Sequence, residues 1–363
     1  MFASAMEVSC SRYISEPGAC NYLGTEIKLL NRKKVYILGG KKALEAVLSK
    51  IELSLSQESL QYEVGVFEGY CTYDNAAFHA KRLQDTGCDC IVGVGGGRCM
   101  DTAKAISKMI SVPFGTIPTQ LATCVSCTNM AIMYENSGAF SGPLYPDLPI
   151  AFVLADHDIL ARAPVRYIAS GIADSMAKYP ELHFSQRGTY NCAELDDAAA
   201  QAAHSMAVCT WNIYLENGWK AYSDNKNGII SNEFSAVANA NLVITGVISG
   251  LARGSKQLAI AHALYNSSTT VFPETWRNYL HGEIVSVGVL LQEFYNEAPE
   301  AEIEDFLMLN RKMGVPVCLN DLGIAGTAKE LDDLHQAIIK DFTDFSAEEK
   351  RKLRVAMDRI IKI

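Results

Sequence analysis

The sequence is short of every feature that would tie it to a nucleic acid, a secretory route or a bilayer. Basic residues are outnumbered, 32 Lys and Arg against 41 Asp and Glu, for a formal charge of −9. A nucleic-acid scaffold needs a basic face instead. The 11 cysteines are scattered, with no disulfide framework or paired zinc-knuckle spacing. The start, "MFASAMEVSCSRYISEPG", has no basic segment followed by an apolar core. Reduced thiols and a cytoplasmic location are the expectation. Repeats, charge blocks and low-complexity linkers are lacking too. One uncharged stretch, 234–252 "FSAVANANLVITGVISGLA", carries Asn239, Asn241, Thr245 and Ser249. That polarity suits a buried helix better than a membrane span.

What is present is an ordinary globular composition, 49% hydrophobic and 20% charged, over 363 residues. That length predicts two domains. In the first part, short β-rich runs alternate with helical patterns. "KVYIL" (34–38) precedes a helix near 41–50, "YEVGVF" (62–67) one near 74–86, and "CIVGV" (90–94) one at 98–110. "PFGTIPT" (113–119), "TNMAIMY" (128–134) and "AFVLAD" (151–156) supply further strands, with a turn signal at "ENSG". Such alternation marks a parallel sheet covered by helices. Beyond about residue 162 the β-runs stop, and helical segments follow at 194–217, 255–266, 282–298 and 326–340. The expected architecture is an α/β, Rossmann-like parallel-sheet domain at 1–161 and an all-α domain at 162–363. A cleft between two such domains suits a small molecule.

The stretch "CDCIVGVGGGRCMDTAKAIS" (88–107) runs an apolar strand into Gly95, Gly96 and Gly97, and then directly into a helix. Bare backbone can turn tightly and approach a ligand closely. The helix N-terminus then offers N–H groups and a favourable dipole to a phosphate. The run lacks the last glycine of G-x-G-x-x-G, and a plain strand-turn-helix corner accepts glycine as well. In the second half, "RYIASGIADSMAKYPE" carries Asp174, "AIAHALYNSS" carries His262 and "NYLHGEIVSVGVLLQ" carries His281. One carboxylate and two imidazoles suit Zn²⁺ foremost, with Fe²⁺ or Mn²⁺ as alternatives, and leave coordination positions for substrate. Spacing alone does not assemble residues so far apart, and each histidine has an ordinary reading as a hydrogen-bonded core or surface residue.

The chain resembles the iron-containing (group III) alcohol dehydrogenase superfamily, in particular its glycerol-dehydrogenase-like branch. The resemblance rests on "GVGGGRCMDTAKA", "TIPTQLATCVSCTNMAIMY", "SGIADSMAKYPE", "AHALYNSST" and "LHGEIVSVGVL", in the family's order. It implies Asp174, His262 and His281 as ligands of one divalent metal through which the chemistry runs. It places Gly95, Gly96, Gly97, Asp101, Thr116, Thr119, Thr128, Met130 and Tyr134 around a nicotinamide dinucleotide.

Two departures from the glycerol-specific pattern bear on substrate. Where those enzymes read Ser-Thr-Asp, this chain has Ala122, Thr123 and Cys124. Four residues after Asp174 stands Lys178, expected one helical turn along the same face. Losing an acid and gaining a cation favour an anionic substrate, so the nearest match is the hydroxycarboxylate dehydrogenase subgroup, acting on 2-oxo and 2-hydroxy acids. Packing of Cys124 and snorkelling of Lys178 are the bland alternatives. Glycerol or vicinal-diol oxidation is the rival activity, followed by a phosphorylated polyol, a dehydroquinate-synthase-like lyase and a non-catalytic binding protein. At the first β-run, Gly40 and Lys41 stand where NAD-specific relatives carry an acid, so NADP is expected beside NAD, against which Glu68 could count. His157 is expected at the surface or as a helix cap, and Tyr265 in the pocket. Pro180 is expected to kink the Asp174 helix, and a redox disulfide within "CVSC" (124–127) is a minor reading. The expected partner is a small molecule, with no nucleic acid or membrane, and a homo-oligomer is compatible.

Overall fold

In a computed structural model, the structure describes residues 8–185, 198–252, 259–342 and 345–363. The first half builds β1 (Tyr13–Glu16), α1 (Leu23–Leu29), β2 (Lys34–Gly39), α2 (Lys41–Gln57), β3 (Gln61–Val66) and α3 (Tyr73–Asp85). It continues through β4 (Cys90–Gly95), α4 (Gly97–Ile110), β5 (Phe114–Pro118), β6 (Ala131–Tyr134), β7 (Phe140–Leu144), β8 (Phe152–Asp156) and α5 (His157–Leu160). Six strands form one parallel sheet in the order β1-β8-β5-β4-β2-β3. The strands with near-continuous apolar runs, β4, β5 and β8, are buried along their whole length, as a sheet covered on both faces requires.

Two features of the sheet depart from the sequence reading. β1 closes one edge beside β8, although "YISE" is too short and polar to announce a strand. The "ENSG" turn joins β6 to β7 in a small antiparallel hairpin, whereas "AFVLAD" enters the main sheet. Gly142 and Pro143 inside β7 conceal its strand character.

The second half is helical among the described residues: α6 (Arg166–Met176), α7 (Lys178–Ser185), α8 (Ala198–Lys226), α9 (Asn232–Asn239) and α10 (Thr245–Leu251). After these come α11 (Ile260–Val271), α12 (Pro273–Asn278), α13 (His281–Asn296), α14 (Glu300–Met313), α15 (Ala328–Ile339) and α16 (Ala347–Arg359). The parts of the expected helices at 194–197 and 255–258 lie outside the described residues. A π-helical turn, residues 240–244, links α9 to α10. The combined helix 232–251 is long and apolar enough to cross a membrane, but 56% of its apolar window is buried within the fold.

Apolar packing crosses the expected boundary at 161. One cluster runs from Tyr36 and Phe114 in the sheet half to Leu291 and Leu353 among the helices. A second, with Val35, Ile37, Val92 and Leu154, fills the opposite face of the sheet. Helix-to-loop contact is close enough to require glycine. A Cβ on Gly171 of α6 would lie 1.7 Å from the Leu121 carbonyl oxygen, and Asn241 Nδ2 donates to that same oxygen at 2.9 Å. The loop after β5 is thereby seated against the helical half.

Candidate active site

Chain order along the sheet reverses between β2 and β4, since β3 lies outside β2 and β5 outside β4. In open parallel sheets the crevice beyond the strand C-termini at such a reversal is the preferred ligand position. Gly39 ends β2 opposite Val94, and Gly95 ends β4 one residue further on. Gly95 has φ +142°, a conformation that excludes other residues, and Gly96 caps α4 in extended backbone. Gly97 opens the helix, and the first turn carries no acid. Such a corner at the N-terminus of a 14-residue helix could cradle an anion. Gly40 caps α2 in the same way, and Lys41 follows it exposed to solvent.

The loop between β5 and β6 is held by side chains that the sequence placed around the dinucleotide. Lys104, fully buried, pairs with Asp101 at 3.0 Å and donates to the carbonyls of Val125 (2.7 Å) and Met130 (2.8 Å). Asp101 also accepts the Ile132 N–H at 3.2 Å, and Thr116 Oγ1 donates to Ser126 O at 2.9 Å. Thr128 Oγ1 donates to Cys124 O and reaches its Sγ at 3.2 Å. Asp101, Thr116 and Thr128 therefore brace the loop with their polar atoms. Thr119 joins the cradle through its N–H to Gly95 O at 3.1 Å. Tyr134 lies in an aromatic wall with Tyr70 (5.8 Å) and Trp276 (6.5 Å).

Asp174, His262 and His281 come together from α6, α11 and α13. Their ligand atoms all lie within 4.8 Å of one another. Asp174 Oδ1 is 3.4 Å from His262 Nε2 and 3.1 Å from His281 Nε2, yet it is buried with no aligned hydrogen bond. Three donor atoms that crowd one point without bonding one another suit a shared cation. Burial pushes the Asp174 carboxyl up, but the charge on His281 and both imidazole contacts outweigh it and hold the group well below the usual carboxylate range. His281 is the most open of the three, with 29% of its side chain exposed.

Sequence reasoning missed Glu181. It is fully buried on α7, and its Oε2 lies 2.7 Å from His262 Nδ1. Its Oε1 accepts the backbone N–H groups of Ala259 (2.9 Å) and His262 (3.0 Å). Accepting from Nδ1 places that proton away from the site and leaves the Nε2 lone pair facing Asp174. Helical spacing from Asp174 could not have found Glu181, because it lies on α7 beyond the break at Ala177. Gln at 181 can still accept the backbone N–H groups, but its amide would donate to Nδ1 and move the ring proton to Nε2. Glu181→Gln is therefore expected to weaken metal binding by about 10- to 100-fold. Calorimetric titration of chelator-stripped protein checks this, and unchanged affinity would show that Glu181 only anchors α11.

Pro180 has a structural role. It cannot donate to the Met176 carbonyl, so α6 ends there and α7 begins at Lys178 with proline in its first turn. Lys178 is thus on the next helix from Asp174, not one turn along the same one. It is 4% exposed, and among the described residues no hydrogen bond or ion pair reaches its ammonium. Its charge acts on Cys124, Glu181 and His262, placing it beside the triad. Cys124 is buried, and burial pushes its thiol up against the opposing effect of Lys178. Tyr265 packs edge-on against His281 at 4.1 Å and accepts from Trp276 Nε1 at 3.0 Å. His157 is not at the surface. It is 3% exposed and contacts Ser15 Oγ (2.8 Å) and Ser235 Oγ (3.3 Å), while Asp156 caps α5. Cys124 and Cys127 are both free thiols.

Fold and site together define a doubly wound α/β protein with a triad on its helical half that could hold a metal ion. A profile of the family "iron-containing alcohol dehydrogenase" matches residues 10–153. The glycerol dehydrogenase of Escherichia coli O6:H1 is 33% identical over 87% of this chain and 84% of its own length. Hydroxycarboxylate dehydrogenase A of Escherichia coli K12 is 29% identical over 78% of this chain and 76% of its own. Among solved structures, the glycerol dehydrogenase of Schizosaccharomyces pombe superposes with a TM-score of 0.85 at 24% identity, covering 99% of this chain and 90% of that one. The chain belongs to the iron-containing alcohol dehydrogenase family. It is an NAD-linked oxidoreductase of the alcohol dehydrogenase type.

Proposed function

We propose that this enzyme interconverts small 2-oxo acids and 2-hydroxy acids, with residues 1–161 holding the dinucleotide and 162–363 the metal and substrate. The observation that carries the reading is Lys178, a residue only 4% exposed for which no hydrogen bond or ion pair is seen among the described residues, and whose charge acts on Cys124, Glu181 and His262. A buried cation is costly unless paired, and a substrate carboxylate would pair it. Asp174, His262 and His281 would hold the divalent ion, which when bound supplies Lewis-acid polarisation of the substrate oxygen. The α4 N-terminus and Gly95–Gly97 bind the pyrophosphate. Glu181 keeps His262 in the tautomer that binds metal, and the wall of Tyr70, Tyr134, Trp276 and Tyr265 excludes water from the hydride path.

Glycerol or vicinal-diol oxidation is the second reading, and the comparisons favour it: two glycerol dehydrogenases match at 33% and 30% identity, above the 29% of the hydroxycarboxylate enzyme. Lys178→Ala separates the two. On the acid reading, KM for 2-oxo acids rises by about 10- to 100-fold, the value of a charge-assisted hydrogen bond, while neutral substrates change little. Steady-state assays across 2-oxo acids, neutral ketones and glycerol decide the matter, since equal losses on charged and neutral substrates make Lys178 structural. Wild-type preference for glycerol would establish the diol reading.

Cofactor choice follows from the cap of α2. Gly40 presents no acid to repel a 2′-phosphate, Lys41 is free to meet one, and Glu68 is exposed beyond β3. NADPH is expected to be used alongside NADH, and Gly40→Asp to lower kcat/KM for NADPH while sparing NADH. An unmodified enzyme that ignores NADPH at saturating substrate would refute this.

A further inference from the structure

We propose, resting on the reading of the triad as a divalent-cation site, that Ser170 is a positioning residue which acts through the backbone of α13 to hold His281 opposite Asp174. Asp174 and His281 form the last of three contacts that succeed one another between the same two helices. Arg166, Ser170 and Asp174 stand four residues apart and so share one face of α6. His281, Gly282 and Glu283 are the first three residues of α13. Arg166 meets Glu283, Ser170 meets Gly282, and Asp174 meets His281.

Each contact is short. Arg166 donates through Nε to Glu283 Oε1 at 2.5 Å and through Nη2 to Oε2 at 2.6 Å, and Nη2 also reaches Asn278 O at 3.1 Å. Ser170 Oγ accepts the Gly282 N–H at 3.1 Å, and Asp174 Oδ1 lies 3.1 Å from His281 Nε2. The Arg166 side chain is half open to solvent, whereas Ser170 is fully buried.

Ser170 supplies what the start of α13 lacks. The first N–H groups of a helix have no acceptor within it, and a buried donor left unpaired is costly. Gly282 lets the two backbones touch. A Cβ there would lie 1.9 Å from Ser170 O and 2.8 Å from Ser170 Oγ. The helices are thus fastened one residue from His281 and one turn from Asp174.

His281 depends on this fastening more than His262 does. Glu181 grips the His262 ring at Nδ1, but among the described residues no hydrogen bond holds the His281 ring. Its neighbours are Asp174 Oδ1 and Tyr265, packed edge-on at 4.1 Å. The aim of the ring is therefore set by where its backbone stands, and Ser170 fixes the adjoining peptide. A partner that orients a metal ligand in this way is worth about 10- to 100-fold in metal affinity.

The test is calorimetric titration of the chelator-stripped, full-length protein with Zn²⁺, beside urea unfolding of the same metal-free preparations. Ser170→Ala is expected to weaken Zn²⁺ binding by about 10-fold or more. In a His281→Ala background the same substitution should cost little further affinity, because the residue it acts through is gone. Arg166→Met, at the open end of the same face, should weaken binding by about two- to fivefold and likewise lose its effect without His281. Wild-type affinity in Ser170→Ala, whatever its urea midpoint, would overturn the proposal and leave Ser170 a packing residue. An equal loss with and without His281 would overturn it too. A wild type that takes up no Zn²⁺ would instead remove the metal site itself, and the positioning role with it. Should Ser170→Ala not fold, Arg166→Met decides the question: a loss that vanishes without His281 supports the clamp, and unchanged affinity overturns it.

Discussion

Asp174→Asn is expected to lower turnover by roughly a thousandfold or more while the protein stays folded. Asp174 is the only carboxylate of the triad, and both imidazole Nε2 atoms face its Oδ1. Asparagine keeps the volume but removes the charge, and an amide is a weak ligand for a divalent cation. Lewis-acid stabilisation of a developing alkoxide is worth several kcal/mol, and about 4 kcal/mol corresponds to three orders of magnitude in rate. Metal analysis of the variant should show substoichiometric content, with a circular dichroism spectrum like the wild type. Full metal occupancy with normal kcat would remove Asp174 from the site. Neither Glu181→Gln nor Lys178→Ala should approach this effect, since each leaves all three ligands in place.

The second large effect concerns stability and lies away from the catalytic cleft. Glu293 of α13 is 1% exposed, and its Oε1 has no hydrogen-bond partner among the described residues. It borders a cavity of about 390 Å³ that Glu297, Glu300 and Glu304 also line. Burial first, and then the negative charge of Glu302, pushes its carboxyl from 4.5 up to about 8. Between those two values the folded chain keeps a proton that the unfolded chain has released, so stability falls as pH rises. The contribution is complete below about 4.5 and gone above about 8. A rise of that size corresponds to at most about 5 kcal/mol. Glu293→Gln should match the wild type at pH 5 and be clearly more stable at pH 8.5, as measured by urea unfolding at both values. A variant equally displaced at the two pH values would mean that Glu293 is charged throughout.

Much of the sheet half is legible locally. A run such as "CIVGV" has one strand-like reading, and Gly95 has one backbone requirement at the corner that follows it. The helical half is legible as helices because apolar residues recur at helical spacing, but their arrangement is not. The break at Ala177 shows the limit. Proline signals an interruption, yet only the packed structure shows that restarting the helix at Lys178 carries that ammonium and Glu181 to the triad. His157 and β7 failed for related reasons, one being a polar residue whose partners are distant in sequence, the other a strand containing glycine and proline.

By itself the sequence determined most of the element types and the glycine corner after β4, and the family resemblance singled out the three side chains that the structure brings together. Those are properties of single residues and short intervals: propensity, periodicity, backbone freedom and donor chemistry. Tertiary structure alone decided the convergence of Asp174, His262 and His281, the buried Glu181 behind them and the buried Lys178 whose charge acts on them. Each depends on burial and on contacts between segments far apart in the chain. Desolvation, which makes an unpaired charge costly, acts only once distant segments have closed over the group.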